Sequence, residues 1–136
     1  MTQSFNEYPQ PVEDSDNAPY LQGWREGRLM LQQCTSCRAT IFYPRSICPD
    51  CWSGDLVWFE SSGRGELISY SLIMRPNHPA FNDEVPIVLA EIMLEEGVSM
   101  LARIIDGVPG TGVAVVLAND RQSVLRYPLP IFRPAP

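Results

Sequence analysis

The chain has 136 residues, which is enough for one domain or for a small module followed by a domain of about 80 residues. Its 16 acidic and 10 basic residues give a formal net charge of −6, and every basic residue is an arginine. The absence of lysine excludes a lysine Schiff base and a Walker-type phosphate loop, and the acidic excess disfavours a general nucleic-acid binder. No apolar stretch reaches the ~20 residues that cross a bilayer and the first residues resemble no secretion signal, so we expect a cytoplasmic protein.

The beginning of the chain reads as an arm followed by a short helix. Residues 1–16 are polar, acidic and without periodicity, which predicts a flexible or extended arm. An asparagine that can cap, an early proline and a terminating glycine predict a helix from Ala18 to Glu26. This helix carries Tyr20, Leu21 and Trp24 on one face, which must pack on the chain's own core or on a partner. The core is the more frequent case, because a short helix rarely persists alone.

All four cysteines lie in two pairs, Cys34-x2-Cys37 and Cys48-x2-Cys51, ten residues apart. In a cytoplasmic chain this spacing indicates a metal site, and four thiolates form a closed tetrahedral shell of the structural zinc type. Tetrahedral iron, as in a rubredoxin-like electron carrier, remains the alternative because the ligand set is the same. Bound zinc would hold together a module too small to fold by apolar burial alone. We expect the nearby aromatic residues to cover the ion; they are Phe42, Tyr43 and Trp52.

The remaining chain alternates strand-like segments with turns. Residues 28–33 and 57–60 are predicted strands of the cysteine-rich module, and five further strands follow without any helical period. This pattern predicts a small antiparallel barrel of the OB type, with an SH3-like barrel as the alternative. The predicted fold is therefore mainly β: a short helix and a rubredoxin-like zinc ribbon in residues 17–60, then a five-stranded OB-fold domain in residues 61–136. The five predicted barrel strands are residues 66–75, 85–94, 99–105, 111–117 and 123–132.

No catalytic constellation is evident in the sequence. The one histidine, His78, lies in a proline-rich loop beside Asp83 and Glu84, where a solvated or binding role is more frequent than acid–base catalysis. The metal would use every cysteine, and no serine lies in a nucleophile-elbow motif. We therefore predict no catalytic residues and a chain that is not an enzyme on its own.

A nucleic-acid-binding module is the alternative from a different functional class. A zinc ribbon followed by an OB barrel is common in such proteins, and aromatic residues on the barrel could stack on bases. The net charge of −6 and the scattered arginines argue against a polyanionic ligand. The candidate stacking residues are Tyr70, Phe81, Tyr127 and Phe132.

The order of these motifs resembles the acyl-CoA-associated family that joins a zinc ribbon to an OB fold, formerly a numbered domain of unknown function (35). The likeness extends from about Tyr20 to Asp106 and more loosely to the end. Arg38 departs from it, since relatives commonly have glycine after the second cysteine. The matching segments are residues 24–29, 34–37, 43–45, 48–51, 62–67, 86–90 and 94–98, which read WREGRL, CTSC, YPR, CPDC, SGRGEL, PIVLA and LEEGV.

The resemblance implies an accessory subunit of lipid metabolism with no chemistry of its own. Such proteins pair with thiolase-like condensing or cleaving enzymes, with thiolase-fold aldolases or with hotdog-fold enoyl-CoA hydratases. The helix and ribbon would form the docking surface, and the barrel would help to bind an acyl-CoA ester. A homodimer is left open as well. The expected CoA contacts are Arg75, His78 and Phe81 in one loop and Arg103 at the barrel mouth, since guanidinium groups bind phosphate in bidentate fashion.

Overall fold

The computed structural model describes residues 8–107 and 110–136. In this part of the chain, one helix precedes a three-stranded sheet and a closed five-stranded barrel. None of its helices is long and apolar enough to cross a membrane. The elements are α1 (Ala18–Arg25), β1 (Met30–Cys34), β2 (Thr40–Ile41), β3 (Leu56–Glu60), β4 (Arg64–Ile73), a 3-10 helix (Pro79–Glu84), β5 (Ile87–Leu94), β6 (Ser99–Ile104), β7 (Ala114–Leu117), α2 (Arg121–Arg126) and β8 (Phe132–Pro134).

Helix α1 packs on the chain's own core. It ends one residue before the predicted position, and Gly27 follows it with a φ of 80°, a left-handed conformation that glycine adopts without strain. Tyr20 and Leu21 are buried in the main core with the barrel residues. Trp24 is 1% exposed and donates from Nε1 to the carbonyl oxygen of Tyr127 at 2.8 Å. The helix therefore fixes the ribbon and the C-terminal segment to the barrel.

The cysteine-rich module is the three-stranded sheet, in the order β2-β1-β3. Strand β1 lies at its centre and pairs antiparallel with both neighbours, from Met30↔Glu60 to Cys34↔Leu56 on one side. The two-residue strand β2 was not predicted, since it is too short for any periodicity to reveal.

The barrel has the order β4-β5-β6-β8-β7 and closes by the pairing of β7 with β4. Along β5 and β6 every second residue is buried, including Val88, Ala90 and Ile92 on β5, as expected for strands with one face inside a barrel. Gly65 lies where β4 pairs with both β5 and β7, and a Cβ there would stand only 2.7 Å from Ile92 Cγ2, so glycine is required for this close approach. The mainly β fold with a closed five-stranded barrel confirms the sequence prediction.

The predicted strand over residues 123–132 is wrong. Residues 121–126 form α2, because the Asp120 carboxylate accepts a hydrogen bond from the Ser123 amide at 3.2 Å and so caps a helix start. The helix ends before Pro128, and the fifth barrel strand is only Phe132–Pro134. Phe132 is fully buried, so it offers no ring for stacking on a base.

The end of the predicted arm is tied to the fold. Residues 1–7 lie outside the described residues. Tyr8, by contrast, is 4% exposed and stacks on Phe81 and Tyr127, while Glu13 pairs with Arg25 at 2.8 Å. These ring contacts join residues far apart in sequence, so the polar composition of the arm could not reveal them.

Candidate functional site: a four-cysteine centre and a cavity between helix, ribbon and barrel

The four cysteine sulfurs form one compact group. They lie within 4.8 Å of one another, with 3.5 Å from Cys34 Sγ to Cys51 Sγ and 3.6 Å from Cys37 Sγ to Cys48 Sγ. Four thiolates at about 2.3 Å from a central zinc would stand about 3.8 Å apart, whereas a disulfide needs about 2.05 Å. The cysteines are therefore positioned as the ligands of a zinc ribbon.

The two cysteine pairs have the same backbone conformation. Arg38 donates its amide to the carbonyl of Cys34 at 2.8 Å, and Trp52 donates to that of Cys48 at 2.9 Å. Both donors adopt a positive φ, 69° for Arg38 and 68° for Trp52. This is the region that glycine favours, which explains physically why a glycine would suit the position of Arg38.

Backbone amides also point at the sulfurs. The amide of Cys37 donates to Cys34 Sγ at 3.5 Å, and that of Asp50 donates to Cys48 Sγ at 3.4 Å. Hydrogen bonds of this kind favour the charged thiolate, and they lower the pKa of the Cys34 thiol. At Cys34 the surroundings thus favour the thiolate, the form of cysteine that binds a metal.

The aromatic cover expected for the metal is wrong. Tyr43 is 64% exposed and Trp52 80% exposed, while Phe42 packs against the main core instead. Aliphatic side chains take this place: Ile41 packs with the buried Cys34 and Cys48, together with Ala39 and Leu56.

A cavity of about 580 Å³ lies where helix α1, the ribbon and the barrel meet. Its walls are mainly apolar and aromatic, with two arginines among them. Residues from distant parts of the chain line it, including Tyr8, Tyr20, Phe42, Tyr43, Ile73, Arg75, Phe81, Leu89, Leu101, Arg103, Tyr127 and Leu129.

The structure brings three of the four predicted CoA contacts to this cavity. Arg75 lines it from the loop after β4, Phe81 from the 3-10 helix and Arg103 from β6. His78 does not appear in the lining, and its Nδ1 accepts the amide of Ala80 at 3.1 Å, which caps the 3-10 helix. His78 therefore has a local structural contact rather than an evident ligand-facing one.

Glu84 is the centre of a polar network at the cavity wall. Its Oε1 accepts from Arg103 at 2.7 Å, and its Oε2 accepts from the Tyr8 hydroxyl and lies 3.6 Å from Arg126. Burial raises the pKa of Glu84, but the hydrogen bonds from Tyr8 and Arg103 and the charge of Arg126 outweigh it, so the net pKa is lowered. Burial, and next the bond to Glu84, raise the pKa of Tyr8. At neutral pH the network is a carboxylate between two guanidinium groups and a neutral phenol.

Sequence reasoning missed Tyr8 and Glu84 as parts of this site, and assigned Tyr127 only to base stacking. Tyr127 carries both arginines over its ring, with Arg103 at 5.5 Å and Arg126 at 5.1 Å from the centroid. The one available signal was the Tyr-Pro dipeptide, which occurs at Tyr8-Pro9, Tyr43-Pro44 and Tyr127-Pro128. That signal is too common to identify a site without the tertiary contacts.

Two family models match consecutive parts of this chain. The ChsH2 rubredoxin-like zinc ribbon domain matches residues 21–57, and the ChsH2 C-terminal OB-fold domain matches residues 58–119. The first contains the four-cysteine centre, and the second contains strands β4 to β7.

Curated relatives carry two kinds of name. A probable enoyl-CoA hydratase alpha subunit of Thermomonospora curvata is 34% identical over 93% of this chain, but the chain spans only 40% of that relative's length. A DUF35 domain-containing scaffold protein of Methanothermobacter thermautotrophicus is 38% identical over 69% of this chain and 68% of its own. A scaffold protein of the same name from Pyrococcus furiosus is 36% identical over half of each chain.

Two solved structures resemble the whole described fold. One is titled an Ltp2-ChsH2(DUF35) aldolase; its matching chain is 32% identical, with a TM-score of 0.75 over 93% of this chain and 100% of that one. The other is a DUF35 protein of unknown function from Sulfolobus solfataricus, 15% identical, with a TM-score of 0.65 over 89% of this chain and 86% of that one. The second likeness concerns the fold alone.

Proposed function

Since this chain belongs to the ChsH2 (DUF35) family, whose members join a rubredoxin-like zinc ribbon to an OB fold, we propose that it is a non-catalytic accessory subunit. It binds an acyl-CoA ester and docks on a thiolase-like enzyme, which carries out a condensation, a cleavage or an aldol reaction on that ester. The partner contributes the catalytic residues, and this chain completes the site for the CoA ester.

The cavity between helix, ribbon and barrel is the observation that carries this proposal. Its volume of about 580 Å³ falls within the roughly 300–1,000 Å³ typical of small-molecule sites. The apolar walls suit the extended pantetheine arm or the acyl group of a CoA ester. Arg75 is exposed at the rim and Arg103 is largely buried in the wall, and guanidinium groups are suited to the phosphates of the nucleotide.

The likeness to the aldolase complex supports the choice of partner. The matched chain in that structure is titled as part of an aldolase with Ltp2, and the likeness covers the whole of that chain. An aldolase of the thiolase fold is therefore the partner class we favour. The sequence match to a hydratase alpha subunit supports a second candidate, in which the partner is a hotdog-fold enoyl-CoA hydratase.

The zinc ribbon has a structural role in this proposal. The four sulfurs fit a tetrahedral ion with no coordination position left for water, so a bound zinc would supply no Lewis-acid chemistry. The ligands Cys34 and Cys48 are buried, while Cys37 and Cys51 are exposed. The ion would hold the ribbon rigid beside the cavity and keep its outer surface in shape for docking.

Co-expression with the thiolase-like enzyme encoded nearest to this chain tests the proposal. We expect the two chains to copurify as a complex, and the complex to convert its CoA ester faster than the enzyme alone. Arg75→Glu should raise the KM for the ester at least tenfold. The control Arg121→Glu makes the same charge change at an exposed position that does not line the cavity. Failure to copurify, or equal KM values for the two variants, would contradict the proposal.

A further inference from the structure

Tyr8 holds its ring in an aromatic site of the cavity wall. The ring stacks on Phe81 at 5.1 Å and on Tyr127 at 6.0 Å, with interplanar angles of 13° in both pairs. Its hydroxyl donates to Glu84. It also accepts a hydrogen bond from Arg126 Nε at 3.3 Å. The site therefore holds a flat ring by two stacking contacts, one hydrogen bond to a carboxylate and one from a guanidinium group.

The groups around this ring are those expected for an adenine nucleotide. Phe81 and Tyr127 offer faces on which a purine can stack. Glu84 accepts a hydrogen bond from Tyr8, and the exocyclic amine of adenine is a donor that could replace the phenol. Arg103 and Arg126 lie within 5.5 Å of the Tyr127 ring centre and carry the charge that phosphates require.

Arg103 has one donor to spare at this position. Its Nη1 donates to Glu84, but its Nε is buried and has no hydrogen-bond partner among the described residues. A buried donor without a partner destabilises the fold, so an incoming anion that accepted this hydrogen bond would remove that destabilisation.

Apart from the Tyr8 side chain itself, the segment that carries it is held mainly by exposed contacts, since residues 9–16 are exposed or only half-buried. Glu13 pairs with Arg25 at 2.8 Å with the arginine side chain 60% exposed, and Val12 is 84% exposed. Asn17 binds the carbonyl of Val12 at 3.0 Å, so the firm attachment begins at the helix. Exposed ion pairs of this kind contribute little, and a segment with few buried contacts opens locally without unfolding the domain.

We propose that Tyr8 is an intramolecular occupant of an adenine site and that residues 8–16 are displaced when the nucleotide of a CoA ester binds there. This inference rests on the proposed function, since it names the position of the nucleotide and the contact that regulates it. The apparent affinity for the nucleotide is the intrinsic affinity multiplied by the fraction of molecules in which the site is open. If the site is open in about 10% of molecules, binding is therefore about tenfold weaker.

Calorimetric titration with adenosine 3′,5′-bisphosphate, the nucleotide of CoA without its pantetheine arm, tests this arrangement. Tyr8→Ala should bind the nucleotide about tenfold more tightly than the unchanged chain, because the competing ring is gone. Tyr8→Phe keeps the ring but loses the bond to Glu84, so its affinity should fall between the two. Val12→Ala is the control, since this exposed residue of the same segment makes no contact with the rings.

Circular dichroism and metal content establish that each variant is folded before titration. The inference would be overturned if the unchanged chain, Tyr8→Ala and Val12→Ala bound the nucleotide with equal affinity. Weaker binding by Tyr8→Ala would overturn it as well. A parallel titration with an acyl-CoA separates the two proposals. If the acyl-CoA binds but Tyr8→Ala changes nothing, only the adenine site is wrong; if no variant binds it with or without the partner enzyme, the proposed function fails as well.

Discussion

The buried amide of Gln32 binds the backbone of Arg45 through a pair of hydrogen bonds. Gln32 Nε2 donates to the Arg45 carbonyl at 2.8 Å, and the Arg45 amide donates to Gln32 Oε1 at 2.9 Å. Gln32 lies in the central strand of the ribbon and is 3% exposed. One side chain thus fixes the loop between the two cysteine pairs against the central strand.

Replacing Gln32 should destabilise the ribbon. Gln32→Leu keeps the size of the side chain but removes both hydrogen bonds, so we expect the free energy of unfolding to fall by about 2 kcal/mol. Gln33→Leu is the matched control, because Gln33 makes only a marginal contact at 3.5 Å with the Arg38 carbonyl. Denaturant unfolding of both variants measures the difference, and equal stabilities would show that the pair of bonds has no net effect.

Arg38→Gly should stabilise the chain. Arg38 adopts a φ of 69°, where a residue with a Cβ costs about 1–2 kcal/mol and glycine does not. After the loss of chain entropy from the new glycine, we expect a net gain of about 1 kcal/mol in the zinc-loaded protein. Arg45→Gly removes the same side chain where φ is not positive and should lose about 0.5–1 kcal/mol. A lower free energy of unfolding in both variants would contradict the backbone strain at Arg38.

Removal of the metal should unfold the ribbon before the barrel. We expect one zinc per chain in a colourless protein, and a strong chelator should first expose the amides of residues 28–58 to hydrogen exchange. The barrel should keep its protection, although Leu29 and Leu31 of the ribbon share its core, because its strands pair with one another in a closed ring. Simultaneous exchange of ribbon and barrel would contradict this order, and a red protein with visible charge-transfer absorption would identify iron instead.

The carboxylate of Glu84 should make stability depend on pH in the acid range. Its pKa is lowered from the ordinary value of 4.5, so its stabilising contribution is complete above that pH and is lost as the pH falls through the lower folded-state pKa. Glu84→Gln should therefore be less stable than the unchanged chain at pH 7. The difference in stability between the two proteins should become smaller below pH 4.5.

A comparison with Glu95→Gln controls for loss of a surface charge. Glu95 also forms an ion pair, with Arg64 at 2.9 Å, but its side chain is 50% exposed and its removal should change stability little. Thermal unfolding of the three proteins across pH 3 to 7 measures the stability of each variant relative to the unchanged chain. If the stability difference for Glu84→Gln stayed constant over this range, the stabilising role of the Glu84 carboxylate would be contradicted.

The parts predicted from sequence are those determined by local spacing. The two cysteine pairs specify the metal ligands by themselves, and the alternation of β5 and β6 specifies their inward faces. The error over residues 123–132 arose because α2 has only six residues. Asp120 starts this helix by a capping contact, which a period-based reading does not weigh.

The cavity could not be predicted because its walls come from every part of the chain. Tyr8 and Glu84 are 76 residues apart, and only the packing of α1 on the barrel brings the first near the second. Of the expected contacts, Arg75, Phe81 and Arg103 reach the cavity, while His78 caps a 3-10 helix because its Nδ1 meets the Ala80 amide. A loop's composition indicates that it can bind but not which side chains face the ligand.

Titration of an acyl-CoA into the zinc-loaded chain, alone and in complex with its thiolase-like partner, measures whether this chain binds the ester. We expect saturable binding of one ester per chain that is tightest in the complex. We also expect at least tenfold weaker binding in Arg75→Glu, with no change in Arg121→Glu. Absence of acyl-CoA binding by the chain both alone and with the partner would contradict the proposed function.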